Sequence, residues 1–240
     1  MAGMIDVHCH LLPGVDDGSS SMEETKEMIR IAVEAGTGDI IFTPHIRRPW
    51  LDRPWEKVTD AFAQVKAWAG EAYPELGLYL GCEFDYSTAV LQETPEKLHG
   101  INETSVMLVE FKPGDPFERI ERGIEAVEMA GYDVLLAHIE RYKCIVSDHS
   151  LVNRVLELGA VIQVNADDIA KPVGFAQKRF MKKLIDRQQI FVVGTDAHDT
   201  KYRRPEMREA YRIVEKRAGA DYAERIFCRN GRLLLEGEIG

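Results

Sequence analysis

Seven short apolar runs, at residues 4–8, 39–43, 76–82, 106–109, 134–137, 161–164 and 190–193, recur along the 240-residue chain. They are apolar on both faces, as parallel strands covered on two sides should be. Amphipathic stretches separate them. One opens at Ser21, where Ser21-x-x-Glu24 reads as a capping box, and runs to Gly36. Others cover about residues 55–73, 116–130, 151–158, 175–187 and 205–217, with Gly131 and Gly159 also placed as helix C-caps. Residues 86–103 read as irregular with a short helix. Alternating strands and helices predict an α/β fold with a parallel sheet, either an open doubly wound sheet or a closed barrel. No linker, repeat or low-complexity tract breaks the pattern, so residues 1–240 are expected to form a single domain.

The downstream ends of these runs carry the chemistry. In order they are His8 and His10, His45, Glu83, Glu110, His138, Asn165, and Asp196 with His198. His8 and His10 are two apart, which on a strand puts both imidazoles on one face, about 6–7 Å apart. Asp16-Asp17-Gly18 follows in the next loop, and Asp196-x-His198 repeats the spacing of two. Taken singly, each has an ordinary reading: His45 as a loop histidine, Glu83 as a solvated acid, His138 as a core histidine. Glu110 is harder to dismiss, because a lone carboxylate ending a buried strand is costly. In a parallel barrel all seven ends converge on one rim, where such folds place their active sites.

Composition narrows the classes. A net charge of −10 argues against a general nucleic-acid binder. Neither a G-x-G-x-x-G nor a G-x-x-x-x-G-K-[ST] fingerprint is present. The four cysteines are scattered, which implies no zinc ribbon and no disulfide framework. The N-terminal residues lack a signal-peptide pattern and no stretch has the apolar length of a bilayer span, so a cytoplasmic protein without membrane insertion is expected. His8-Cys9 invites comparison with the H-C-x5-R loop of cysteine-dependent phosphatases. The required arginine position is occupied by Val15, so that nucleophile is excluded by spacing. Cys9 and Cys82 should instead face the packing, and His99 and His149, in predicted loops, are expected at the surface.

Nine candidate ligands, His8, His10, Asp17, His45, Glu83, Glu110, His138, Asp196 and His198, exceed the needs of one ion. Mixed imidazole and carboxylate donors suit Mn, Fe or Zn, and two or three bridged ions would use them. Clustered ions make hydroxide available near neutral pH and clamp phosphoryl oxygens. Arg141, three residues after His138, and Arg203, five after His198, are placed to hold a phosphate's remaining oxygens, with Arg204 a competitor for the second place.

Together, Asp6-Val-His8-Cys-His10, Asp16-Asp17-Gly18, Thr43-Pro44-His45, Gly81-Cys-Glu83, Glu110, His138-Ile-Glu140-Arg141 and Asp196-Ala-His198 resemble the polymerase-and-histidinol-phosphatase (PHP) superfamily. Within it they are most similar to the bacterial protein-tyrosine phosphatases of the capsule and exopolysaccharide type. The resemblance runs from about Met4 to Met207. It implies a distorted (β/α)7 TIM-like barrel and a Mn-dependent phosphatase acting on the tail of a bacterial tyrosine kinase. It further implies one metal held by His8, His10, Glu83 and Asp196, a second by Glu83, Glu110 and His138, and a third by Asp17, His45 and His198. Arg141 and Arg203 would carry the substrate phosphate. Two departures stand out: Ile139 replaces the family's usual proline, and the loop after His45 reads Ile46-Arg47-Arg48-Pro49-Trp50. Arg47 and Arg48 would there either attract an acidic peptide or form a solvated pair. The alternatives carried forward are a small-molecule phosphatase such as histidinol-phosphatase, and a non-catalytic metal-binding module.

Overall fold

The structure, a computed structural model, describes residues 3–47, 52–93 and 98–239. Its strands are β1 (Met4–Cys9), β2 (Thr37–Phe42), β3 (His45–Ile46), β4 (Gly77–Leu80), β5 (Glu83–Asp85), β6 (Val106–Glu110), β7 (Asp133–Leu136), β8 (Val161–Asn165) and β9 (Val192–Gly194). All pairings are parallel. One sheet has the order β1-β2-β4 and the other β3-β5-β6-β7-β8-β9. A parallel bridge between Cys9 and Ala197 joins β1 to the chain just past β9.

Seven of the nine strands fall on the seven predicted runs; β3 and β5 lie beyond the second and third runs, set off from β2 and β4 by Thr43-Pro44 and Gly81-Cys82. Proline cannot donate to a ladder, which fits the first break. The two breaks lie side by side: Gly81 N–H donates to Phe42 O (2.8 Å) and Glu83 N–H to Pro44 O (3.1 Å). The result is a curled, distorted barrel of seven strand positions, of the two architectures the sequence allowed.

The helices are α1 (Met22–Ala35), α2 (Trp55–Ala72), α3 (Thr88–Glu93), α4 (Phe117–Met129), α5 (Lys143–Ser147), α6 (Ser150–Glu157), α7 (Ala166–Ala170), α8 (Gly174–Asp186), α9 (Arg208–Ala218), α10 (Ala220–Glu224) and α11 (Asn230–Glu236). Ser21 caps α1 as predicted, its Oγ accepting from Glu24 N–H at 3.2 Å, but the Glu24 carboxylate takes the Ser20 N–H (2.8 Å) and not that of Ser21. Gly36 ends the helix at φ 99°, a conformation that favours glycine.

Two apolar layers flank the sheet. Met28, Ile29 and Ala32 of α1 and Val58 and Val65 of α2 pack with Ile40 and Phe42 of β2. A larger cluster packs α4 and α6–α9 on the second sheet. A third cluster joins Ile5, Val7, Ile41, Leu108, Leu135 and Val192 of the strands to Leu234 and Leu235 of α11. Gly231 is needed at this seal, since a Cβ there would lie 2.9 Å from Ile5 Cβ. Burying one such leucine stabilises by roughly 1.5–3 kcal/mol, so α11 is part of the core, although its residues follow the last predicted helix.

Candidate metal centre

The C-terminal strand ends converge. Glu83, fully buried at the start of β5, is the hub. Its Oε1 lies 3.0 Å from His138 Nε2 and 3.3 Å from His8 Nε2; its Oε2 lies 3.0 Å from His45 Nδ1 and 3.2 Å from His10 Nε2. Asp196 Oδ1 lies 3.5 Å from both His8 and His10 Nε2, and 3.7 Å from His198 Nδ1. Asp17, the most open acid, approaches His45 at 3.3 Å and His198 at 3.5 Å. Glu110 lies 3.5 Å from His138. All nine candidate ligands therefore meet in one cluster.

Within it, three sets of donor atoms converge closely enough to share an ion: His8, His10 and Asp196; His10, Asp17, His45 and His198; and His45, Glu83 and Glu110. The expected sets overlap these but differ in three places: Glu83 is absent from the first, His10 joins Asp17, His45 and His198 in the second, and His45 takes the place of His138 beside Glu83 and Glu110 in the third. The donor chemistry fits a divalent cation. His8 and His10 bring their Nε2 atoms to 3.3 Å of each other, with carboxylate oxygens on both sides. Because His10 Nδ1 faces Asp16 Oδ2 and His8 Nδ1 faces Gln163 Oε1, the neutral forms of these two rings turn bare Nε2 lone pairs toward the Glu83 carboxylate, an arrangement that a cation among them would satisfy.

The electrostatics carry the same tension. Burial works against ionised Glu83 and Asp196, yet the surrounding His8 holds each well below its ordinary value, helped by His45 at Glu83 and by Arg141 and Arg203 at Asp196. His10 is raised despite burial, because Asp16 lies against it. His198 goes the other way, lowered to about 3 by burial and by the neighbouring His10 and Arg203. Glu110 is pushed up to about 7 by burial and by Glu83. Imidazoles driven in opposite directions are what a site rich in donors and short of positive charge produces.

Close backbone approach makes this packing possible. A Cβ on Gly194 would lie 2.6 Å from His8 Cβ, and one on Gly18 would overlap the His10 carbonyl. His138 and Asp196 both adopt positive φ, 29° and 52°. Non-glycine residues rarely do so, and strain of this kind collects at functional sites.

Both guanidinium groups meet Asp196. Arg141 Nη1 donates to Oδ2 at 2.8 Å, and Arg203 Nη2 donates to the same oxygen. Arg203, and not Arg204, reaches the cluster; Arg204 is exposed and lies in the field of Glu27 on α1. Arg47 bridges Asp17 (3.0 Å) and Glu110 (3.5 Å), so it is not part of a solvated pair; Arg48 lies outside the described residues.

Supporting residues outside the nine candidates hold the ligands; of these, Asp16 and Asn165 stand in the motifs and strand ends already read from the sequence, and Gln163 does not. Asp16 Oδ2 takes His10 Nδ1 at 2.8 Å and the His45 N–H at 3.1 Å. Gln163 Oε1 accepts from the His138 N–H at 2.7 Å and lies 3.3 Å from His8 Nδ1. Asn165 Nδ2 donates to Asp196 Oδ2 at 3.1 Å. Such partners fix ring tautomer and orientation. Gln163 was findable, as an amide inside the apolar run Val161-Ile-Gln-Val. Cys9 and Cys82 are buried in apolar packing as expected. The surface placement of His99 and His149 is corrected: His99 stacks on Trp55 at 3.7 Å, and His149 is buried with Nε2 2.9 Å from Gln189 Oε1.

Residues 4–236 match the family model described as capsular polysaccharide synthesis, CpsB/CapC. The chain belongs to the CpsB/CapC family. Among relatives, the tyrosine-protein phosphatase CpsB of Streptococcus pneumoniae is 31% identical, the match covering 98% of this chain and 100% of that one. The tyrosine-protein phosphatase YwqE of Bacillus subtilis is 32% identical over 98% of this chain and 92% of its own length. A crystal structure from work on YwqE and S. pneumoniae CpsB, described there as unique metal-dependent tyrosine phosphatases, superposes with a TM-score of 0.88 at 30% identity, covering 98% of this chain and 95% of the other. Histidinol phosphate phosphatase of Lactococcus lactis superposes at 0.58 with 13% identity and shares the fold alone. The PHP-type barrel and the capsule-type tyrosine phosphatase resemblance are both matched by these relatives.

Proposed function

We propose that this CpsB/CapC member is a metal-dependent phosphatase that hydrolyses phosphotyrosine in protein. The observation that carries the reading is the meeting of Arg141 and Arg203 on Asp196, at the edge of the imidazole and carboxylate cluster. A phosphate monoester needs cationic groups for several oxygens at once, and a planar guanidinium pair beside divalent ions supplies them.

His8, His10 and Asp196 with Glu83 would hold one ion, Glu83 and Glu110 with His138 or His45 a second, and Asp17, His45 and His198 a third. Two or three Mn2+ ions are the assignment, with Fe or Zn the other metals such donors take. Bound there, the ions supply Lewis acidity toward phosphoryl oxygens and acidify water. The chain's own groups do the positioning. Arg141 and Arg203 orient the phosphoryl oxygens, and Asp196 holds both forks in register. Asp16 and Gln163 fix the rings of His10 and His8. A tyrosyl leaving group has a conjugate acid pKa of about 10, so strong protonation by a dedicated general acid is less necessary than for an alkyl ester.

The substrate proposed is the phosphorylated tyrosine-rich tail of a bacterial tyrosine kinase that controls capsular or exopolysaccharide synthesis, met by a single catalytic domain in the cytoplasm. No described helix is long and apolar enough to cross a membrane. Turnover of a phosphotyrosine peptide against histidinol phosphate, each with Mn2+ and with chelator, tests the reading. Chelator-sensitive turnover of the peptide is expected. Turnover of histidinol phosphate alone would move the protein to the small-molecule phosphatases, and no turnover of either would leave a metal-binding module.

A further inference from the structure

Arg141 is shared between the metal centre and a groove that leads away from it. The groove consists of two adjoining depressions of about 480 and 290 Å³, both bordered by Val146, Ser147 and Ala176, between α5 and α8. The first is lined by Arg141 and Lys143, with Val173 at its edge. The second is lined by Phe175, Arg179 and Lys183. These last three are four residues apart, so they form one face of α8.

Two features single this groove out. Phe175 and Val173 are 82% and 78% exposed, two of the few large apolar side chains that face solvent among the described residues. Such side chains beside an active site mark contact surface. The groove is also basic, although the chain as a whole carries a net charge of −10. Its acidic neighbours offset only part of that charge: Glu140 is buried, accepting the Asn165 N–H at 2.7 Å, and Asp168, held by Gln177 Nε2 at 3.1 Å, is one carboxylate beside the four cations Arg141, Lys143, Arg179 and Lys183. By contrast, Arg154 on the adjacent α6 is already paired with Glu121 at 2.7 Å.

We propose that this groove binds the residues flanking the phosphotyrosine and selects acidic ones, with Lys143, Arg179 and Lys183 as its charge readers and Phe175 as its apolar contact. Continuity fixes the direction: Arg141 holds the phosphate end, and the peptide runs along α8 past Phe175 toward Lys183. The inference rests on the reading of the centre as a phosphotyrosine phosphatase.

The test compares three phosphotyrosine peptides on the Mn2+-loaded enzyme, identical except for acidic, neutral or basic flanks. The acidic peptide should exceed the neutral one in kcat/KM by about tenfold at low salt, with the preference shrinking as ionic strength rises. In Arg179→Glu/Lys183→Glu the acidic-to-neutral ratio should fall to about one or below. Lys26→Glu/Lys66→Glu, on α1 and α2, makes the same change in net charge and should keep the preference. Phe175→Ala should raise KM for all three peptides alike. A ratio of about one in the wild type, or a preference that survives the α8 double variant, overturns the groove while leaving phosphotyrosine hydrolysis standing. Absence of turnover on every peptide counts against the phosphatase reading itself, and the groove falls with it.

Discussion

The seven histidines divide into two sets that burial alone does not define, since His149 is as buried as His198 and only His99 is half-buried. His8, His10, His45, His138 and His198 lie at the strand ends, each within 3.7 Å of a carboxylate oxygen. His99 and His149 lie elsewhere, one stacked face to face on Trp55 and the other bonded to Gln189 with its ring edge-on to Phe180. In the second set burial lowers both pKa values, and at His149 the Gln189 hydrogen bond and the nearby Asp148 offset it only in part. In the first set, shared carboxylates and neighbouring cations drive the rings in opposite directions. What makes a buried histidine part of a metal centre is therefore the acids it shares with other histidines.

Removing a shared acid should break that distinction most severely. Asp196→Ala takes away the group that approaches three rings and both arginines, and kcat/KM toward phosphotyrosine peptide should fall by on the order of a thousandfold or more. His138→Ala should do nearly the same, whereas His149→Gln should stay within about twofold. A His149→Gln variant as inactive as Asp196→Ala would erase the division between the two sets.

Arg141→Ala should cost on the order of a hundredfold in kcat/KM, with metal content retained, because it meets Asp196 from the open side. Unchanged kinetics would remove Arg141 from phosphate binding.

Metal removal should lower the melting temperature by several degrees, since ions that bind only the folded site stabilise it by linkage. His149→Gln should show the same shift and His10→Ala a much smaller one. An equal shift in both variants would place the stabilising metal elsewhere.

The smallest effect is in pH dependence. The folded pKa of His149 lies below its unfolded value of about 6.5. Its neutral form is therefore favoured by folding: that contribution is whole above this pH and is lost as the pH falls below it. His149→Gln should lose less melting temperature than wild type between pH 7.5 and 5.5, by on the order of 1–2 °C. Parallel curves would show that the ring carries no such penalty.

The strand-end histidines were legible because strand periodicity and topology together put them on one rim. His8 and His10 are two apart on β1, Glu83 pairs in register with His45, and Asp85 with Glu110. The placement of His99 and His149 was not legible, since polar sequence neighbours suggested loops while their partners come from distant segments. The breaks after Phe42 and Leu80 carry their signals in Pro44 and Gly81, but β3 and β5 beyond them are only two and three residues long and lie past the apolar runs, so pairing alone reveals them. Asp16 was visible beside Asp17, but that Asp16 holds His10 while Asp17 faces His45 and His198 depends on the turn at Gly18. The sealing role of α11 was invisible because its amphipathic pattern lies beyond the last barrel strand.

The central claim is that the strand-end set is a multinuclear centre held by shared carboxylates. Elemental analysis of protein reconstituted with Mn2+ and freed of loose metal tests it most directly. Two or more ions per chain are expected in the wild type and in His149→Gln, falling by at least one in Asp196→Ala. Fewer than one ion per wild-type chain after reconstitution, or the same content in all three proteins, would contradict it.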